Sequence, residues 1–107
     1  LNLIFALEGL AYAIKYEKNL QIFLVFQAFL LGIAFLQGIS LWEFSILLFA
    51  FGVFDALEMQ NSAAERLADV VQPKFDSRVK VVKDRLAGSV TLAGITAFTL
   101  WVVLVFF

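Results

Sequence analysis

The sequence predicts an all-α integral membrane protein with three transmembrane helices and an amphipathic surface helix before them. Three observations carry this. Of 107 residues, 63% are hydrophobic, and the mean hydropathy is +0.94, more apolar surface than a soluble domain of this size can hide from water. Three apolar stretches each approach the roughly 20 residues a helix needs to cross a hydrocarbon core. The charges between and beside those stretches gather at one end of them. Strands are not expected, because barrel strands alternate polar and apolar residues in shorter segments.

Residues 1–18 form the surface helix. Leu3, Leu7, Leu10 and Ile14 mark one apolar face, and Glu8, Lys15 and Glu17 interrupt the run, the pattern of a helix lying in the interface. No cleavable signal is expected here, since charges break the run and no small-residue cleavage site follows. Because the chain starts at Leu1 rather than Met, a short preceding piece is expected. The first span covers 20–37 and holds no charge. The second covers 41–60, with Glu43 near its start and Asp55 deep in it, and continues as a cytoplasmic helix to about residue 70. There Gln72-Pro73 breaks it. A cytoplasmic loop over 71–82 follows, and the third span covers 84–107. The whole chain is one membrane domain.

The basic residues set orientation. Lys15 and Lys18 precede span one, and Arg66, Lys74, Arg78, Lys80, Lys83 and Arg85 lie between spans two and three. The turn around residues 37–40 has none. The positive-inside rule then places the N-terminus and the 66–85 segment in the cytoplasm.

Composition narrows the chemistry. With no Cys and no His, thiolate metal sites and the usual neutral-pH base are excluded, so carboxylates must do any acid–base or metal work. They are arranged for it. Glu58, Asn61, Ser62, Glu65 and Asp69 recur at helical spacing and share one face. A helix end simply reaching water explains Asp69 but not an aligned row of Glu, Asn, Glu and Asp. Lys83-Asp84 at the start of span three and Glu17 before span one fall at the same membrane level. Oxygen ligands of this kind suit Mg²⁺, which often bridges phosphates. Nearby Lys and Arg suit phosphate. An acid at the lipid boundary suits deprotonation of a membrane-embedded alcohol. Phosphoryl transfer to a lipid follows, without a Walker-type loop. The competing reading is a non-enzymatic ion-handling or assembly subunit, motivated by Asp55 and Glu58 at membrane depth.

Three segments, FALEGLAYAIKYEKN at 5–19, ExxNSAAExxxD at 58–69 and VKDRLAGSV at 82–90, resemble the small bacterial membrane kinases that include diacylglycerol kinase and undecaprenol kinase. The resemblance implies three membrane helices, a surface helix and a homotrimer with sites shared between subunits, in the bacterial cytoplasmic membrane with the active site facing the cytoplasm. It implies Glu58 as catalytic base with Asn61 in support, and Glu17 and Glu65 as ligands of Mg²⁺ on the phosphates of ATP. Glu17, Glu65, Asp69, Lys83 and Asp84 match nucleotide-binding positions, with Asp84 contacting the sugar or orienting Lys83. Glu58 and Ser62 face the lipid. The expected partners are ATP, a membrane lipid alcohol, the bilayer and further copies of the chain, with no nucleic acid. Asn19 and Pro73 look more like the undecaprenol kinase branch, and diacylglycerol kinase is the alternative. Asp55, where relatives have an apolar residue, departs from the pattern, and so do Gln60, Phe23 and Phe75-Asp76. Phe75-Asp76 lies in the loop near the nucleotide, and Asp55, Lys74 and Phe75 are given no settled role. Repulsion between Asp55 and Glu58 would retune the base.

Overall fold

The computed structural model describes residues 2–107 as four helices: α1 (Leu3–Tyr16), α2 (Lys18–Leu36), α3 (Leu41–Val71) and α4 (Ser77–Phe106). Each boundary has a local cause. Asn2 caps α1, its Oδ1 accepting from the backbone N–H groups of Ile4 at 3.0 Å and Phe5 at 3.4 Å. Glu17 leaves the helical region at φ −90°, ψ 103°, which turns the chain sharply into α2. Gln21 Nε2 holds that corner by donating to the Ile14 carbonyl at 2.9 Å and the Lys15 carbonyl at 2.8 Å, two of the acceptors a helix end leaves unpaired.

Gly38 takes φ 74° in the α2–α3 turn, where a side chain would be strained. Ser40 and Glu43 then close a reciprocal capping box on α3. This gives Glu43 a structural role. α3 runs for 31 residues, about 45 Å at 1.5 Å per residue, well beyond a hydrocarbon core of ~30 Å. It ends at Gln72, because the following proline cannot continue it. Asp76 caps α4, accepting from the Arg78 backbone N–H at 2.8 Å and pairing with the Arg78 side chain at 2.9 Å. The Arg78 guanidinium and the backbone bond hold the Asp76 carboxyl below the usual aspartate range. α4 therefore starts at Ser77, inside the 71–82 stretch read as loop. The cap is what converts that stretch to helix, leaving only residues 72–76 as connection.

α3 packs most extensively on α4, and α2 lies against α3. The core is small: Leu30, Ala34, Leu47, Phe51, Ala97 and Trp101, tied by Trp101 Nε1 donating to the Leu30 carbonyl at 2.8 Å. Most large apolar side chains face outward instead, Val25, Phe29, Phe49 and Leu92 among them. On α1 the Leu3, Leu7, Leu10 and Ile14 face is exposed, and only Ala13 is buried. Among the described residues, α2 and α4 are the helices long and apolar enough to cross a membrane by length and composition. The apolar part of α3 carries Glu43, Asp55 and Glu58.

Candidate functional site

The Glu17 corner and the middle of α3 meet to form a polar cleft of about 350 Å³. Glu17 and Lys18 contribute from the corner, and Glu58, Asn61, Ser62 and Glu65 from α3. Helical spacing gathers the α3 residues, and the break after Tyr16 swings Glu17 against them. Glu58 and Asn61 are each only 8% exposed. Asn61 Nδ2 reaches Glu65 Oε1 at 3.4 Å. Two oxygens are left over: Glu17 Oε2 and Asn61 Oδ1 are buried without a hydrogen-bond partner. Buried acceptors are nearly always paired, so two orphans in one acidic cleft fit a hard cation that takes oxygen ligands. Among the described residues no three carboxylates converge as a closed metal cage. The set thus suits an ion that takes its remaining ligands from water or phosphate.

Glu58 and Asn61 also form part of the wall of a second space. This groove, about 550 Å³, runs between α2, α3 and α4 and is otherwise mainly apolar, with Phe23, Phe54, Ile95 and Phe98 among its walls. One carboxylate therefore faces a polar cleft and an apolar groove together.

The remaining sequence candidates lie elsewhere. Asp69, Lys83 and Asp84, with Lys74 and Phe75, line a separate cavity of about 320 Å³ at the α3–α4 connection. It shares no lining residue with the acidic cleft. Lys83 Nζ bonds Asp69 Oδ1 at 2.5 Å, and Lys80 Nζ bonds Asp84 Oδ2 at 2.6 Å. Asp84 is thus paired with Lys80, four residues away on the same helix face, and Lys83 with Asp69; of the two roles expected for Asp84, orienting Lys83 is not what this pairing gives, and contact with the sugar is left open. Lys74 and Phe75 are exposed.

Sequence reasoning missed two participants. Gln27, the amide in the middle of span one, donates from Nε2 to Asp55 Oδ1 at 2.7 Å. Asp55 is therefore turned to α2 and held there, away from the row that begins at Glu58. Its signal was an amide with apolar neighbours on both sides, well inside the span. Arg66, taken mainly as a topology signal, lies on the cleft and reaches the Tyr12 hydroxyl at 3.4 Å, joining α1 to α3.

One carboxylate, Glu58, thus stands between a polar cleft and an apolar groove. A family model described as prokaryotic diacylglycerol kinase matches residues 4–105, and the chain belongs to that family. It is a small prokaryotic lipid kinase, a membrane-associated phosphotransferase. A comparison with curated proteins returns no match.

Proposed function

We propose that the chain is an ATP- and Mg²⁺-dependent kinase that transfers the γ-phosphoryl group to the hydroxyl of undecaprenol. The observation that carries this is the shared wall: Glu58 and Asn61 belong to both the acidic cleft and the apolar groove. A lipid alcohol lying in the groove brings its hydroxyl to Glu58. Glu58 then accepts the hydroxyl proton as the oxygen attacks the γ-phosphorus, the bond from that phosphorus to the β–γ bridging oxygen breaks and ADP leaves, while Asn61 fixes the carboxylate row through Glu65. Glu17 and Glu65 would hold Mg²⁺, with Asn61 Oδ1 as a further oxygen ligand, and the bound ion would neutralise phosphate charge. Ser62 faces the reacting lipid. Catalysis of this type rests on positioning and electrostatics more than on covalent chemistry.

Asp69, Lys83 and Asp84 serve the nucleotide from a second subunit, which supplies the patch that one chain keeps apart from its own cleft. A homotrimer also shields the polar side chains of α3 from lipid. In this arrangement α2, the first half of α3, and α4 span the bacterial cytoplasmic membrane, α1 lies on its surface, and the site faces the cytoplasm.

A second acceptor is favoured by one finding, the family description itself, which names diacylglycerol. Both lipids present a primary hydroxyl at the interface. The deciding measurement is phosphate transfer from labelled ATP to undecaprenol and to diacylglycerol in mixed micelles. Turnover on undecaprenol is the expected result; turnover on diacylglycerol alone assigns the other acceptor, and turnover on neither removes the kinase mechanism.

A further inference from the structure

The acidic cleft carries two cations beside its carboxylates, Lys18 and Arg66. Of the two, Arg66 is held in place, and by a neutral group. Its Nη1 donates to the Tyr12 hydroxyl at 3.4 Å, and its guanidinium carbon lies 5.9 Å from the centroid of the Tyr12 ring. Among the described residues Arg66 enters no ion pair, whereas Arg78, Lys80 and Lys83 each have an acid. The reasons are local. Glu65 directly precedes Arg66, and adjacent residues on a helix do not face each other. Asp69, three residues on, is taken by Lys83 at 2.5 Å. Glu17 shares two walls with Arg66, in the cleft and in a space of about 530 Å³ between α1 and α3, yet its buried Oε2 has no partner. An arginine among carboxylates therefore keeps its charge uncompensated, with its head group turned to α1.

We infer that Arg66 is a substrate-binding residue of the kinase, whose guanidinium leaves Tyr12 and grips the γ-phosphoryl oxygens of ATP in the cleft that Glu58 lines. This rests on the kinase reading above. Charge is the first argument. A triphosphate entering beside Glu17, Glu58 and Glu65 meets like charge, and one divalent ion offsets only part of it; Arg66 adds positive charge on the same wall. Geometry is the second. A guanidinium has five N–H donors in a planar fork that matches two phosphate oxygens, and Tyr12 engages it only at 3.4 Å. A bond between charged groups is stronger than one to a neutral hydroxyl, so the change of partner is favourable. Arg66 is exposed, and the side chain can turn without opening the fold. The choice of the γ end follows from separation. The Asp69, Lys83 and Asp84 cavity shares no lining residue with the cleft. A nucleotide held by such a patch presents the far end of its phosphate chain to the cleft, where the charge of the transferred group develops.

Equilibrium titration of the full-length protein in mixed micelles, with MgATP and with MgADP, separates the γ-phosphoryl group from the rest of the nucleotide. Arg66→Gln is expected to lower MgATP affinity by about tenfold or more, the scale of hydrogen bonds between charged groups, and to leave MgADP affinity unchanged. Arg66→Lys keeps the charge without the fork and should fall between Arg66→Gln and wild type. Tyr12→Phe keeps the ring, removes the hydroxyl and should retain the wild-type preference for ATP over ADP. Retained MgADP binding reports that a variant is folded. An unchanged preference in Arg66→Gln overturns the inference, assigns Arg66 to the α1–α3 tie and leaves the kinase reading standing. Equal losses in Arg66→Gln and Tyr12→Phe also overturn it. If Arg66→Gln binds neither nucleotide, Arg66→Lys decides: a wild-type preference there, or binding again lost to both nucleotides, overturns the inference. Wild-type protein that binds no MgATP overturns the kinase reading itself, and the inference with it.

Discussion

The acidic cleft and the α3–α4 connection are built from the same residue types, yet they treat their carboxylates oppositely. At the connection every acid has a cation: Asp69 has Lys83, Asp84 has Lys80, and Asp76 has Arg78. In the cleft, Glu17 and Asn61 keep buried oxygens with no partner at all. Paired surface charges are close to energetic neutrality. Unpaired buried acceptors are costly, and a fold retains them where a ligand supplies what the chain withholds. The comparison therefore separates a region that is complete without ligand from one that is not.

The largest effect that could break this contrast is at Glu58. Glu58→Gln is expected to lower kcat by ~10²–10⁴-fold, the usual worth of a positioned base, while Mg-ATP binding persists in equilibrium titration; retained turnover would take the base role away from this residue. Next are the two acids proposed to hold the metal. Glu17→Ala and Glu65→Ala should each raise the Mg²⁺ concentration needed for half-maximal activity by ~10–100-fold, the scale seen for groups that orient or bind a metal, with partial rescue by excess Mg²⁺. An unchanged Mg²⁺ curve would show that the cleft is not the ion's site.

Smaller effects probe the paired residues. Asp55→Leu leaves Gln27 without its acceptor and should lower stability by ~0.6–1.7 kcal/mol, the range for interhelical hydrogen bonds in membranes. The double variant Gln27→Leu/Asp55→Leu should recover most of that loss in a double-mutant cycle. Additive losses would mean that the bond contributes nothing. The smallest effect is expected for Asp69–Lys83. Its coupling in a stability cycle should be ~0.2–1 kcal/mol, as for exposed ion pairs. Lys83→Met should nonetheless raise the KM for ATP, because releasing a lysine to phosphate matters more than losing its bond to Asp69.

Periodicity made much of this legible. The spacing from Glu58 to Asp69 could be read as one helix face because 3.6 residues per turn leave no other arrangement. The break at Pro73 could be read because a proline lacks the N–H that a helix interior needs. The start of α4 could not be read with the same security. Whether residues 77–82 are loop or helix depends on Asp76 folding back to cap Arg78, a choice that composition does not express. Asp55 illustrates the same boundary. As a sequence position it stood three residues from Glu58 and suggested repulsion between two carboxylates. In the fold its nearest polar partner comes from a different helix, 28 positions away.

The sequence by itself determined the helical membrane class, the end of the molecule where charge collects, and the candidate residues for phosphoryl chemistry. These follow from local properties, namely hydropathy over a span, helical repeat and side-chain type. Only the tertiary structure decided that Glu17 joins Glu58 and Asn61, that Asp84 takes Lys80 and not Lys83, and that one carboxylate faces both a polar cleft and an apolar groove. Those arrangements depend on how the corner at Glu17 and the packing of α2, α3 and α4 bring distant residues together, and no local pattern encodes a contact between elements.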